Sequence, residues 1–211
     1  MTDRQYPNVR LRLRRTSGAP GRPAQESMMT LWLDGSRFHL RDESGRSFGT
    51  ILADVTAPRG LGQVARTMES FMDAWTPAPE RPTDLYADLA TGRAVVAESD
   101  TEPWATDAAR LVGLADQVIA DRADERADGE SPTVLGRQDY LGRDCVEDRY
   151  EFDGEEDGVP FRTVVTRLVS APYVVRREVK DDPAGRLFAR TEVLDLAEGM
   201  VTDADLVAPS S

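Results

Sequence analysis

The sequence is poor in the residues that most often carry chemistry. Its 211 residues include one cysteine, Cys145, and one histidine, His39. A lone thiol forms no internal disulfide, and one thiol with one imidazole supplies no ligand set for a structural zinc. Lysine is almost missing too: Lys180 is the only one, so nearly all of the 26 basic residues are arginine, against 38 acidic residues. GC-rich coding produces that bias, and no function follows from it. The net charge of −12 repels nucleic acid, and no nucleic-acid partner is expected. No run approaches the about twenty apolar residues that span a bilayer, so integral membrane association is not expected either. The opening "MTDRQYPNVRLRLRRTSGAPG" has no apolar h-region and no small-residue cleavage site, and the expectation from it is a cytoplasmic protein. Phosphate-binding glycine loops, a dinucleotide fingerprint and a GxSxG elbow are all missing, so no cofactor is expected.

What is present is an ordinary globular composition, 40% apolar and 30% charged. The length predicts a single domain over 1–211, with flexible tails at 1–7 and 207–211. In "NVRLRLRR", Val9, Leu11 and Leu13 alternate with Arg10, Arg12 and Arg14, which is the strand period. "SMMTLWLDGSRFHLRDESG" predicts a hairpin turning at Asp34-Gly35, and "SFGTILADV" a further short strand. The period then changes. Leu61, Val64, Met68, Phe71, Met72 and Trp75 fall at helical spacing in "LGQVARTMESFMDAW". Thr83 would cap a short helix, "DLYADLATG", ending at Gly92. Ser99 and Glu102 form a capping box for a long helix with Trp104, Ala108, Leu111, Ala115, Val118 and Ile119 along one stripe. From Thr133 the strand signal returns, with strands expected at 133–140, 144–152, 161–170, 173–180 and 186–194. Short turns between them imply antiparallel neighbours. The class is α+β: strands, inserted helices, then a strand meander.

Each chemical candidate has a plain structural reading beside it. His39, in "RFHLR", lacks a nearby nucleophile or orienting partner in sequence and is expected as an exposed strand histidine. Cys145 lies within a strand, with no second histidine to activate it, and is expected to be a structural thiol. "DGEEDG" at 153–158 places Asp153, Glu155 and Asp157 at calcium-loop spacing, but the twelfth position is Val164 rather than glutamate. A hairpin tip is the simpler reading, and no metal site is expected. The pairs Asp181-Asp182 and Glu155-Glu156 suit turns better than a glycosidase cleft. Met28, Met29, Trp32, Met68, Phe71, Met72 and Trp75 form an adaptable apolar set that suits either an ordinary core or a cavity for varied hydrophobic ligands. Arg10, Arg12 and Arg14 suit a solvated outer face paired with carboxylates, with an anionic partner as the alternative.

The later strands carry a resemblance. "VLGRQDYLGRDCVEDRYEF" runs a strand through the turn "LGRD" into a second strand. "PFRTVVTRLVSAPYVVRREVKDDPAGRLFARTEVLDLAEG" and "VTDADL" follow it. With the hairpin "LWLDGSRFHLRDESG", this order resembles the lipoprotein-carrier-like group, which includes periplasmic lipoprotein carriers, glycolipid-handling lipoproteins and an envelope-stress sigma-factor regulator. The likeness covers about half the chain, mainly Thr133–Leu206. It implies a strongly curved, unclosed antiparallel sheet, an open half-barrel whose concave face is plugged by helices. Between sheet and helices it implies an apolar cavity holding acyl chains or a protein segment, and no catalysis. Here that cavity would be lined by Met29, Leu31, Leu33, Phe38, Leu40, Met68, Phe71, Met72 and Trp75. The partner is then a hydrophobic small molecule or a segment of another protein. Two features depart from the group: the N-terminus has no lipobox cysteine, and the helices follow the early strands rather than preceding them.

Overall fold

The computed structural model describes residues 4–17, 25–44, 46–49, 51, 82–98, 101–125, 131–156, 159–182, 185 and 187–209. Among these residues, eleven strands form one antiparallel sheet. They are β1 (Tyr6–Ser17), β2 (Gln25–Gly35), β3 (Arg37–Asp42), β4 (Thr83–Asp88), β5 (Arg93–Ala97), β6 (Trp104–Asp107), β7 (Thr133–Tyr140), β8 (Arg143–Glu156), β9 (Val159–Ser170), β10 (Tyr173–Asp182) and β11 (Leu187–Glu198). The spatial order is β6-β5-β4-β3-β2-β1-β11-β10-β9-β8-β7, so among the described residues the sheet is unclosed, with β6 and β7 at its edges. Two meanders, β1–β6 and β7–β11, are joined where β1 pairs with β11, from Val9 opposite Glu198 to Ser17 opposite Ala189.

The hairpin β2–β3 turns one residue later than expected, through Gly35 and Ser36, with Asp34 opposite Arg37. Gly35 sits at φ +56°, where a side chain would be strained. Three expectations fail. "DLYADLATG" is not a helix: Leu85 and Ala87 in β4, then Ala94 and Val96 in β5, alternate as buried residues. Gly92, at φ +71°, turns this hairpin rather than ending a helix. "SFGTILADV" does not begin as a strand, since Ile51 donates a helical hydrogen bond to the Ser47 carbonyl (3.0 Å). The long helix from Trp104 is broken. Trp104–Asp107 is strand β6, and Asp107 caps a 3-10 turn, Ala108–Arg110, by accepting from Ala109 N–H. Two short helices follow, α1 (Val112–Asp116) and α2 (Ala120–Glu125).

The reason for the break is tertiary. Val118 C=O accepts from Val174 N–H and Ala120 N–H donates to Pro172 C=O, so the chain leaves the helix to bond the start of β10. Of the expected apolar stripe, Ala108, Leu111, Ala115, Val118 and Ile119 are buried all the same, while Trp104 is only partly buried and belongs to β6. The helix expected over residues 61–75 lies outside the described residues.

The outer face is held by charge pairs. Arg10 reaches Asp195 (2.9 Å) and Arg14 reaches Glu192 (2.7 Å), as expected of a solvated arginine stripe. Tyr6 and Pro7, expected in a flexible tail, belong to β1, and the Tyr6 ring is buried edge-on to Phe38. A bulge in β1 frees Asn8, whose side chain both donates to Val201 C=O (2.9 Å) and accepts from Val201 N–H (3.0 Å). This hooks the segment after β11 back over the outer face. His39 completes the clasp. It is not the exposed histidine expected: it stacks on Trp32, donates from Nδ1 to Asp205 C=O (2.9 Å), and faces Asp84 through Nε2 (2.9 Å).

His39→Ala is expected to raise amide exchange at residues 201–206 by on the order of tenfold while leaving β9 and β10 protected. Uniform change across the sheet would refute the clasp. Glu192 yields a pH prediction. Burial alone would raise its carboxyl pKa, but the hydrogen bond from Arg14 and the charge of Arg190 outweigh this and hold it below the usual range. Its contribution is therefore present above the ordinary carboxylate pKa and lost as pH falls through the lower folded value. Glu192→Gln should lower the melting temperature at pH 7, with the gap to the parent closing on acidification. A gap that does not change with pH would count against this.

Candidate functional site

Residues directly opposite each other on neighbouring strands share a face, and residues two apart along a strand share it too. These rules assemble the inner face as successive rows. One runs Leu11, Leu31, Leu40, Leu85, Val96 across β1–β5, and a parallel one runs Val9, Leu33, Phe38, Ala87, Ala94. All ten are buried. Leu111, Leu114, Ala115 and Val118 join the same apolar cluster. Of the expected cavity residues, the structure therefore brings together Met29, Leu31, Leu33, Phe38 and Leu40. Met68, Phe71, Met72 and Trp75 lie outside the described residues.

Leu85, Ala87, Ala94 and Val96 were missed because a capping threonine and a glycine made their stretch read as a helix. The period-two alternation Leu85, Ala87 was the signal that could have found them. At the border of the apolar rows sits Asp42, which is fully buried opposite Met29. Arg46 clasps it through Nε (2.8 Å) and Nη2 (2.6 Å), and Ser44 N–H adds a third bond (2.9 Å). A buried carboxylate needs that much compensation.

The next row is polar, and the sequence reading did not find it. Asp148, Arg167, Arg177, Thr191, Arg15 and Ser27 stand opposite one another in turn across β8, β9, β10, β11, β1 and β2. Arg15 is two residues from Leu13, so the row belongs to the same face as the apolar core. Arg167 and Asp148 form a buried fork, at 2.9 Å from Nε and 2.6 Å from Nη2, and the guanidinium lies 4.6 Å from the Tyr150 ring centroid. Beyond the row, Tyr150, Val165 and Val179 make a second apolar cluster.

The remaining candidates have structural roles. Cys145 is fully buried, and burial pushes its thiol pKa up, the opposite of what a nucleophile needs. Asp153, at the calcium-like loop, accepts from Arg162 Nε (2.7 Å) across the β8–β9 hairpin. Asp116 holds the end of α1 to the start of the chain by accepting from Tyr6 Oη (3.0 Å) and from Arg4. No helix among the described residues is long and apolar enough to cross a membrane.

No family model and no curated protein matches the chain. Among solved structures it is similar to a LolA superfamily protein from Nitrosomonas europaea, 9% identical, covering 96% of this chain and 92% of that one at a TM-score of 0.39. LprF from Mycobacterium bovis is 11% identical, with 96% and 90% covered and a TM-score of 0.44. A DUF1329 family protein from Desulfovibrio piger is 10% identical, with 94% and 89% covered and a TM-score of 0.26. These likenesses bear on fold alone, and the strand order above stands independently of them. One expectation is corrected here. The lipoprotein-carrier-like group, which the first two structures represent, is one of periplasmic and envelope proteins, and the cytoplasmic placement read from the first residues is withdrawn. The resemblance read from the later strands is to the lipoprotein-carrier-like group, and the unclosed antiparallel sheet it implied is the sheet observed among the described residues.

Proposed function

We propose that this chain, acting as one domain, is a non-catalytic protein that holds a hydrophobic, acyl-like ligand between the inner face of its sheet and the helical segments covering it. The observation that carries the reading is the inner face itself. An unclosed sheet presents two wholly apolar rows across five strands, Leu11 to Val96 and Val9 to Ala94. Such a face must be covered, and a ligand chain can share the covering with protein side chains. Met29 beside it adds an adaptable thioether, and in the sequence between β3 and β4 Met68 and Met72 add two more, with aromatic rings from Phe71 and Trp75. The sheet curves around the ligand in this reading, with helices on its concave side.

A second reading, a module that grips a segment of another protein, has its own support. Edge strand β7 carries Val134 and Leu135 at 65% and 52% exposure, and a strand edge with apolar side chains can accept an added strand.

Purified from its host and sprayed natively, the protein is expected to carry a bound lipophilic mass, and delipidated protein to bind the neutral fluorophore 1-aminoanthracene. Leu31→Trp, at the centre of the apolar row, should weaken that binding at least as strongly as it lowers stability, since overpacking a filled core costs about 1–3 kcal/mol. A parent without bound mass or fluorophore binding would sink the ligand reading. A protein captured through β7, lost on Leu135→Lys, would favour the second.

A further inference from the structure

The two edges of the sheet are built differently. β6 has four residues and follows Pro103, which has no N–H to offer, so that edge is short and blunted. β7 runs eight residues without proline, and Val134 and Leu135 on it are more than half exposed. The direction of its backbone groups follows from the hairpin it makes with β8. Leu141 and Gly142, at φ +53° and +70°, form a two-residue turn, in which Arg143 N–H donates to Tyr140 C=O. Bonded and non-bonded pairs alternate along an antiparallel ladder. Gln138 is therefore bonded to Cys145 opposite it, while Arg137 and Asp139 turn their N–H and C=O groups away from β8, toward the open edge.

The charges at those two positions are opposite, and their setting is unbalanced. Asp139 stands directly opposite Asp144, and like charges so placed destabilise a strand pair. Arg137 reaches Asp144 (2.6 Å) in a largely exposed ion pair. A further guanidinium beside Asp139 would offset the second carboxylate, and the strand itself carries the means. A second copy of β7, run antiparallel about a two-fold axis through Gln138, brings its Arg137 opposite Asp139 and its Asp139 opposite Arg137. The guanidinium has donors enough to keep Asp144 as well. The same register sets Leu135 opposite Leu141, which are 52% and 47% exposed, and Gly136 opposite Tyr140. A shift of two residues either way puts Arg137 against Arg137 or Asp139 against Asp139. A shift of one sets outward backbone groups against inward ones.

We propose that β7 pairs antiparallel with β7 of a second copy of this chain, Arg137 opposite Asp139, and so joins two sheets edge to edge. Self-pairing does not depend on a bound ligand. It uses the edge that the second reading above offers to another protein, and an edge paired with itself is closed to a foreign strand.

Sedimentation velocity of the purified full chain over a concentration series tests this. A reversible monomer–dimer equilibrium is expected, its dimer fraction rising with protein concentration and falling with added salt. Arg137→Asp and Asp139→Arg each set like charges opposite one another twice across the axis, and each should weaken the dimer about tenfold. Both side chains are exposed, so the variants should fold as the parent does. Combining the two substitutions in one chain exchanges the charges and should restore dimerisation. Mixed in equal amounts, the two single variants should associate with each other more strongly than either does with itself. A parent that stays monomeric throughout the series overturns the proposal and leaves the second reading standing. A dimer indifferent to both single variants, or one that neither the double variant nor the mixture restores, also overturns it, because another surface then holds the copies together.

Discussion

The structure depends on one constraint: among the described residues, one face of an eleven-stranded antiparallel sheet must stay dry along the strands between its two edges. Because successive side chains on a strand alternate faces, that demand fixes register everywhere, and a slip of one residue would exchange core for surface. Leu11 must meet Leu31 and Leu196, and Leu31 must meet Leu40. The bulges near Asn8, Leu194 and Val175 let long strands keep this match as they bend and twist. The same constraint explains why the segment after Trp104 is not one helix. Its apolar stripe is buried, but bonds to Pro172 and Val174 at the start of β10 outweigh continued helical hydrogen bonding.

The two faces treat charge differently. Outside, arginine and carboxylate meet across strands in water, where each pair contributes modestly and turnover of side chains is cheap. Inside, charge is few in number and tightly held: Asp42 by Arg46 and Ser44, Arg167 by Asp148, Asp116 by Tyr6 and Arg4. Asp116 ties α1 to Tyr6 of β1, while the other two anchors stand at the borders of apolar rows. They specify where one row ends, which apolar packing alone leaves loose.

How far the sequence could be read follows from the range of the interactions involved. Strands β7–β11 were legible to within a few residues, because alternation and turn glycines are local signals. Met29, Leu31, Leu33, Phe38 and Leu40 were legible as one inward set for the same reason. β4 and β5 were not, since Thr83 and Gly92 offer helix caps and hairpin turns equally well, and only pairing with β3 decides. The polar row was invisible for a deeper reason. Arg15 is separated from Arg167 and Arg177 by most of the chain, and each looks like an ordinary strand arginine until the pairing of β1 with β11 brings the three into one row. His39 gained its partners in the same way, from Asp84 on the neighbouring strand and from a tail that folds back.

The pairing of β1 with β11 also has a consequence in time. Strand β1 is completed on one side by β2, its neighbour in sequence, but its other neighbour, β11, is synthesised only after all the other described strands. Until then the nascent protein holds an open, apolar-sided edge in its very centre, a template for pairing with any extended chain nearby. Folding of this sheet is a process with a late keystone, and the interval before it arrives is when the protein most needs a holding chaperone.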